Sequence, residues 1–336
     1  MNYIDSIILK RTCTCWKKLG NDLLYGKPGI LLYYAQKSNQ NTCFEKIYQK
    51  MEGDVLSHIN KDMPCRLDGL LGITLCTTWI LAYWKKGNPD YVLKEIDEDI
   101  YRNTMSFINK GEHNNEQEIE ILFYISQRLK YGLQGKEKRI IFTRFSEFLL
   151  EHTYAHLGSD ISKENVPFNI LNHKVLYLAS LVELYKLGFY QKRIKRITYE
   201  ISLKIQALPY ALGNKLMLLL FCLKLKKIMG DGVGKWPEIE KSLLNNLSCL
   251  NVNCLDLPYK NISLANGLTS YYLLGFLCNS TNGHSLFKLD TNSYRHEILK
   301  RVLFLTKNDS DTMLPLGLNG IHGFHFLYSL LVEHHG

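Results

Sequence analysis

No apolar run in this sequence is long enough to cross a membrane. The longest, Leu216 to Leu223 (LMLLLFCL), is framed by Lys215 and Lys224, and a spanning helix needs about 20 apolar residues. Proline and glycine are sparse, with 8 Pro and 23 Gly in 336 residues, which excludes collagen and Pro-rich linkers. The low hydrophobicity that keeps chains disordered is also missing, since 46% of residues are hydrophobic and 22% charged. Alternating strands joined by hairpin turns are nearly absent, and the short β-branched runs lie inside helical patterns. The nine cysteines are odd in number and scattered. The opening MNYIDSIILKRTCTCW lacks the positive n-region and small-residue cleavage site of a secretory signal. Reduced thiols in a cytoplasmic protein are therefore expected. Two close pairs, Cys13-x-Cys15 and Cys249-x4-Cys254, have neither the spacing nor the nearby histidine of a tight zinc knuckle.

Charge has a moderate basic excess, 41 Lys plus Arg against 32 Asp plus Glu, or +9. The densest cluster is Lys192, Arg193, Lys195 and Arg196, with Lys224, Lys226 and Lys227 further on. A solvated helix face and a surface that steers acidic partners both fit it. Stacking aromatics do not interleave the basic residues, which argues against nucleic acid as a partner.

Helical periodicity dominates what is present. Val175, Leu178, Ala179, Val182 and Tyr185 fall at i, i+3, i+4, i+7 and i+10, the spacing of one apolar helix face. Leu122, Tyr124, Ile125, Leu129 and Tyr131 mark another such segment, and Phe145, Phe148, Leu149 and His152 a third. The chain is expected to be all-α.

A repeat runs through it. Gly-x-x-Gly followed by an apolar helix occurs at Gly26, Gly69 and Gly320, and a copy with the first glycine alone occurs at Gly267. Three further helical openings, near Gln117, at Asn172-His173-Lys174 and at Leu212-Gly213-Asn214, fit the same spacing. The seven anchors stand about 49 residues apart, room for two helices of ordinary length each. Glycines at i and i+3 share one face of a first helical turn and, lacking Cβ, are expected to let a neighbouring helix come close.

These residues resemble the lanthionine synthetase C-like family. The resemblance runs from about Leu23 to Val332 and is carried by LLYGKPGILLYYA, LDGLLGITL and LPLGLNGIHGFHFLYSLL. It implies an α/α toroid of about seven helical hairpins, whose inner helices open with Gly-x-x-Gly. Length alone suggests two domains at about 150 residues each. The resemblance implies a single domain over 1–336, with 1–20 as an N-terminal helix or extension.

The resemblance also implies peptide chemistry. Family cyclases add cysteine thiols to dehydroalanine or dehydrobutyrine in a ribosomal peptide, with zinc held by two cysteines and one histidine. Zinc deprotonates a thiol whose free pKa is about 8.5, and an open fourth position accepts the substrate sulfur. Here the Cys-His-Gly turn of the sixth unit falls on Ala265-Asn266-Gly267, and the fifth-unit cysteine falls around Tyr210 to Leu212, where there is none. Cys222 lies about two turns too deep and reads as a buried thiol; whether another cysteine, such as Cys65 or Cys76, replaces the lost ligands stays open in the sequence. The family zinc is expected to be absent.

One position of the pattern survives. The fourth-unit His-Gly turn aligns with Asn172-His173-Lys174-Val175, which makes His173 the candidate acid–base residue. A surface or capping histidine is the structural alternative. The third-unit aspartate falls near His113 and Glu116, in a polar stretch that reads as a solvated loop. Residues just before the first glycines, Tyr25, Asp68, Asn266 and Asn319, are candidates to line a pocket, together with His322. Capping alone also explains Asp68, Asn266 and Asn319. His325 reads as facing the core.

The expectation is thus a peptide-binding or degenerate cyclase-like protein of lanthipeptide-type modification, a pseudoenzyme in zinc chemistry. Its partners would be a precursor peptide and a dehydratase-type modifying enzyme. Two other classes stay open. A glycoside hydrolase on a similar toroid needs two carboxylates about 5–10 Å apart, for which Asp68 has no evident mate. A non-catalytic scaffold would have a filled centre.

Overall fold

The structure is a computed structural model. It describes residues 3–39, 41–60, 62–110, 114–131, 136–157, 167–248, 250–251, 261–307, 316–324 and 326–327. His113, Cys249, Cys254 and His325 lie outside the described residues.

Among the described residues the fold is all helical, and the one β contact is an isolated parallel bridge between Asn251 and Lys288. The helices are α1 (Tyr3–Cys15), α2 (Lys27–Ser38), α3 (Thr42–Ser57), α4 (Leu70–Ile80), α5 (Pro89–Asn109), α6 (Asn115–Tyr131), α7 (Lys136–Leu157), α8 (His173–Lys186), α9 (Gln191–Lys204), α10 (Leu212–Met229), α11 (Trp236–Leu247), α12 (Leu268–Asn282) and α13 (Thr291–Lys307). A last helical segment begins at 321. All seven sequence anchors coincide, within about two residues, with the starts of α2, α4, α6, α8, α10, α12 and that segment.

The anchored helices and those between them differ in burial. Every residue of α2 is buried, as is nearly all of α4 and most of α6. By contrast α3, α9 and α11 bury a single stripe: Phe44, Tyr48, Met51 and Val55 in α3, and Ile194, Ile197 and Ile201 in α9. A helix apolar all round belongs inside, and one with a single apolar stripe belongs against a core.

The chain divides into two compact units, each assembled from separated stretches. The first draws on described residues within Met1–Pro89, Leu255–Thr269 and Asp290–Gly336, the second within Asp90–Cys254 and Ser270–Leu289. In the first unit α2 packs against α3 and α4. In the second, α6, α8 and α10 lie side by side, and α7, α9 and α11 pack on them in turn.

A buried ion pair holds α5 to α6 in the second unit. Arg128 and Asp97 are both fully buried and paired at 2.8 Å, and Arg128 also reaches Asp90 at 2.9 Å. Tyr124 donates to the same Asp97 carboxylate. Burial acts against the Arg128 charge, but its bonds to Asp97 outweigh that and hold the guanidinium protonated. The basic cluster on α9 is paired in part: Arg193 pairs with Glu147 at 3.0 Å and with Glu151, and Arg196 lies 3.7 Å from both Glu151 and Glu200, while Lys192 and Lys195 are exposed.

Candidate functional site

The glycine turns of the first unit are built alike. In each, the loop before the helix folds back so that its carbonyls receive the first orphan N–H groups of the helix. Lys27 N–H donates to Gly20 at 2.9 Å, Leu70 N–H to Pro64 at 2.9 Å, and Leu268 N–H to Asn261 at 3.2 Å. This satisfies a helix terminus without a capping side chain. It also explains the first glycine: a Cβ at Gly26 would stand 2.3 Å from the Gly20 carbonyl oxygen, and one at Gly69 2.5 Å from that of Pro64. The second glycine serves the same loop one turn later. A Cβ at Gly29 would meet the Leu23 oxygen at 2.4 Å and Leu318 Cγ at 2.8 Å, and one at Gly72 the Leu67 oxygen at 2.3 Å. The glycines therefore admit loop backbone, and neighbouring turns behind it, rather than a neighbouring helix as expected from spacing.

These turns are joined end to end within the first unit. Leu23 N–H donates to the Leu67 carbonyl at 3.2 Å, linking the first turn to the second. Asn319 N–H donates to the Leu24 carbonyl at 2.8 Å, linking the last to the first. The Asn319 side-chain oxygen accepts the Ala265 N–H at 2.7 Å and the Ser263 hydroxyl, linking the last to the sixth.

The candidate pocket residues of this unit separate by exposure. Tyr25, Asp68 and Asn266 are exposed, with Asp68 3.9 Å from Arg66. Asp22 Oδ1 fastens the turn below Tyr25 by accepting the Leu24 and Tyr25 N–H groups at 2.7 and 2.6 Å. Neither Asp68 nor Asn319 caps by its side chain; the residue at the cap of α4 is Gly69. Asn319 is buried and bonded as described. His322 is completely buried: its Nδ1 accepts the Gly317 N–H at 3.1 Å, so Nε2 carries the proton and donates to Thr12 Oγ1 at 2.9 Å. Its ring stands edge-on to Tyr33, 5.2 Å between centroids.

The positions where the family resemblance would place zinc offer no donor set. Ala265 presents a buried methyl and Asn266 an exposed amide. Cys222 is buried in α10, and burial pushes its thiol well above the ordinary range. Cys76 is buried too, donating to the Pro28 carbonyl at 3.0 Å, and Cys65 is half-buried. Among the described residues, no group of three or more His, Cys, Asp or Glu is placed to hold a metal ion. The residues present do not fit the zinc.

His173 lies in the second unit, as the first residue of α8, where Asn172 caps the helix by accepting the Lys174 N–H at 2.9 Å. Its ring is 26% exposed. Nε2 is 3.0 Å from Oε1 of Glu120, which is only 6% exposed, and Nδ1 is 3.7 Å from Glu116. An ionised carboxylate only accepts, so Glu120 fixes the proton on Nε2 and leaves Nδ1 to take up or release one. This is the arrangement of a general acid–base group with an orienting partner.

Glu116 falls in the polar stretch that reads as a solvated loop from sequence, which hides it and Glu120 as partners of His173. Glu116 lies in the first turn of α6 instead, with Glu120 one turn further on. The signal was the i, i+4 spacing, which puts both carboxylates on one helix face. Glu118, off that face, pairs with His152 of α7 at 2.6 Å.

The second unit also contains a cavity of about 130 Å³ between α8, α10 and the end of α9. The predicted apolar face of α8 supplies one wall through Val175, Leu178, Ala179 and Val182. Asn172 and Asn214 stand at the starts of its two main helices, and Lys224 lies ten residues further along α10.

No protein-family model matches this chain, and a search of curated proteins finds no relative.

Proposed function

We propose that the chain is a divergent lanthionine synthetase C-like α/α toroid that binds a ribosomal precursor peptide and does not carry out zinc-activated thiol addition. Three things support the toroid: seven anchored helices alternating with less buried ones, a shared architecture at the glycine turns, and the hydrogen bonds that join four of those turns. The observation that carries the functional reading is the His173–Glu120 pair, at the one family position that survives as a proton-exchanging side chain.

The chemistry follows from what is kept and what is lost. Without zinc, a cysteine thiol of pKa about 8.5 is only a few per cent thiolate at neutral pH, so ring closure is slow. Nδ1 of His173, with Nε2 held by Glu120, is placed to protonate an enolate formed by addition or to hold a polar group of the peptide. A dehydratase-type enzyme would supply the dehydrated peptide.

The test uses a synthetic peptide carrying dehydroalanine and cysteine. Addition leaves mass unchanged, so ring closure is read by loss of iodoacetamide-reactive thiol, and binding by fluorescence anisotropy. Saturable binding with thiols that stay reactive is expected. Absence of binding, or closure at the rate of a zinc-loaded cyclase, would overturn the reading.

A further inference from the structure

The geometry points to a binding site in the second unit for an aliphatic monocarboxylate of medium chain length, its hydrocarbon between α8 and α10 and its carboxylate on Lys224. This goes beyond the peptide-modification reading and does not rest on it.

The cavity is elongated along two helices. From Asn214 to Lys224 is ten residues of α10, about 15 Å at helical rise, and Val182 lies the same number of residues beyond Asn172 on α8. Between these ends the walls are apolar: Leu178, Ala179, Met217 and Phe221 among others. Its volume of about 130 Å³ is close to the roughly 150 Å³ that holds a benzene-sized guest in an apolar protein cavity. A slender hydrocarbon chain suits that shape better than a sugar or a nucleotide, whose many hydroxyls would find few partners.

Lys224 gives the site its sign. Among the described residues, no hydrogen bond or ion pair reaches its ammonium group, although it lines a mainly apolar cavity whose other polar liners are Asn172, Lys174 and Asn214. The groups that act on it are Glu183, Lys186, Lys130 and, least, the Cys278 thiol, and Glu183 is already engaged by Lys130 at 3.0 Å and Lys186 at 3.6 Å. Burial above all lowers the Lys224 pKa below the ordinary lysine value. A carboxylate delivered by a ligand would supply the missing counter-charge, and a charge-assisted hydrogen bond in a partly desolvated site is among the stronger kinds.

The probes are octanoate, octanol and octylamine, titrated by calorimetry into the full chain. Octanoate is expected to bind at least about tenfold tighter than octanol, the discrimination one charge-assisted bond provides, and octylamine not to bind. Lys224→Met should bring octanoate down to the level of octanol while octanol affinity stays unchanged or rises. Lys224→Arg should keep the preference for octanoate, and so should Lys174→Met at the other end of the cavity. Ala179→Phe, which fills the cavity, should abolish binding of both. Equal affinities for octanoate and octanol, loss of the preference in Lys174→Met instead of Lys224→Met, or no binding at millimolar concentration would each overturn the proposal.

Discussion

The side-chain oxygen of Asn319 accepts the backbone N–H of Ala265 at 2.7 Å, across 54 positions of sequence. The same oxygen takes the Ser263 hydroxyl, and the Asn319 backbone N–H goes to Leu24. One buried residue thus ties the last glycine turn to both the sixth and the first. Asn319→Ala removes an acceptor from buried donors, a loss of about 1–3 kcal/mol. The urea midpoint should fall accordingly, and amide exchange should quicken at Ala265 while staying unchanged at Gly213 in the other unit.

A larger loss is expected at the Arg128–Asp97 pair. Asp97→Asn leaves a fully buried guanidinium with its main counter-charge gone, and breaking a buried pair from one side costs about 3–5 kcal/mol. Replacing both partners together, Asp97→Leu with Arg128→Met, should recover most of that stability. Equilibrium urea unfolding of the three variants checks the order.

Lys224 predicts a signed pH effect. Its folded pKa is lowered, by burial first and by Lys186 and Lys130, against the pull of Glu183 and, more weakly, of the Cys278 thiol. Below that folded value both folded and unfolded states hold the proton, and the penalty for the buried charge is present in full. As pH rises from there toward the ordinary 10.5, the unfolded state binds more protons, so stability increases. Lys224→Met should be more stable than wild type at neutral pH, with the difference shrinking as the pH becomes alkaline. Urea midpoints across that range, taken as the difference between the two proteins, measure it.

The thiols divide by burial. Cys13 and Cys43 are exposed, whereas Cys76, Cys222 and Cys278 are buried, and burial pushes their thiols up, that of Cys278 to about 12. Since the thiolate is the reactive species, iodoacetamide on the native protein should modify Cys13 and Cys43 and leave the other three untouched until denaturant is added. Peptide mass mapping reads the pattern.

Much of the scaffold was legible because its signals are local. Gly-x-x-Gly and the cap residue Asn172 mark helix starts directly, and every anchor met one. The reason for the glycines was not legible, because it lies in carbonyls of loops that fold back six or seven residues earlier, as Gly20 does on Lys27. The cavity was hidden for a related reason. Val175, Leu178, Ala179 and Val182 produce the same periodicity whether they face a packed helix or an open space. Lys224 follows an eight-residue apolar run and reads as a solvated end of it. The polar stretch before Glu120 obscured its pairing with His173, which crosses 53 positions.

The His173–Glu120 pair also changes what its removal should do. His173→Ala would strip a buried carboxylate of a hydrogen-bonding partner, at about 1–3 kcal/mol. His173→Gln is the sharper variant, since the amide nitrogen of glutamine can still donate to Glu120 but cannot exchange a proton. The most direct measurement is therefore the melting temperature of wild type and His173→Gln beside their affinity for the dehydroalanine- and cysteine-containing peptide and their residual rate of thiol addition. A melting temperature close to wild type is expected, with affinity or residual rate reduced about tenfold or more, the lower end of what a general acid–base group contributes being about a hundredfold in rate. A lowered melting temperature with unchanged affinity and rate would contradict it and make His173 a purely structural histidine.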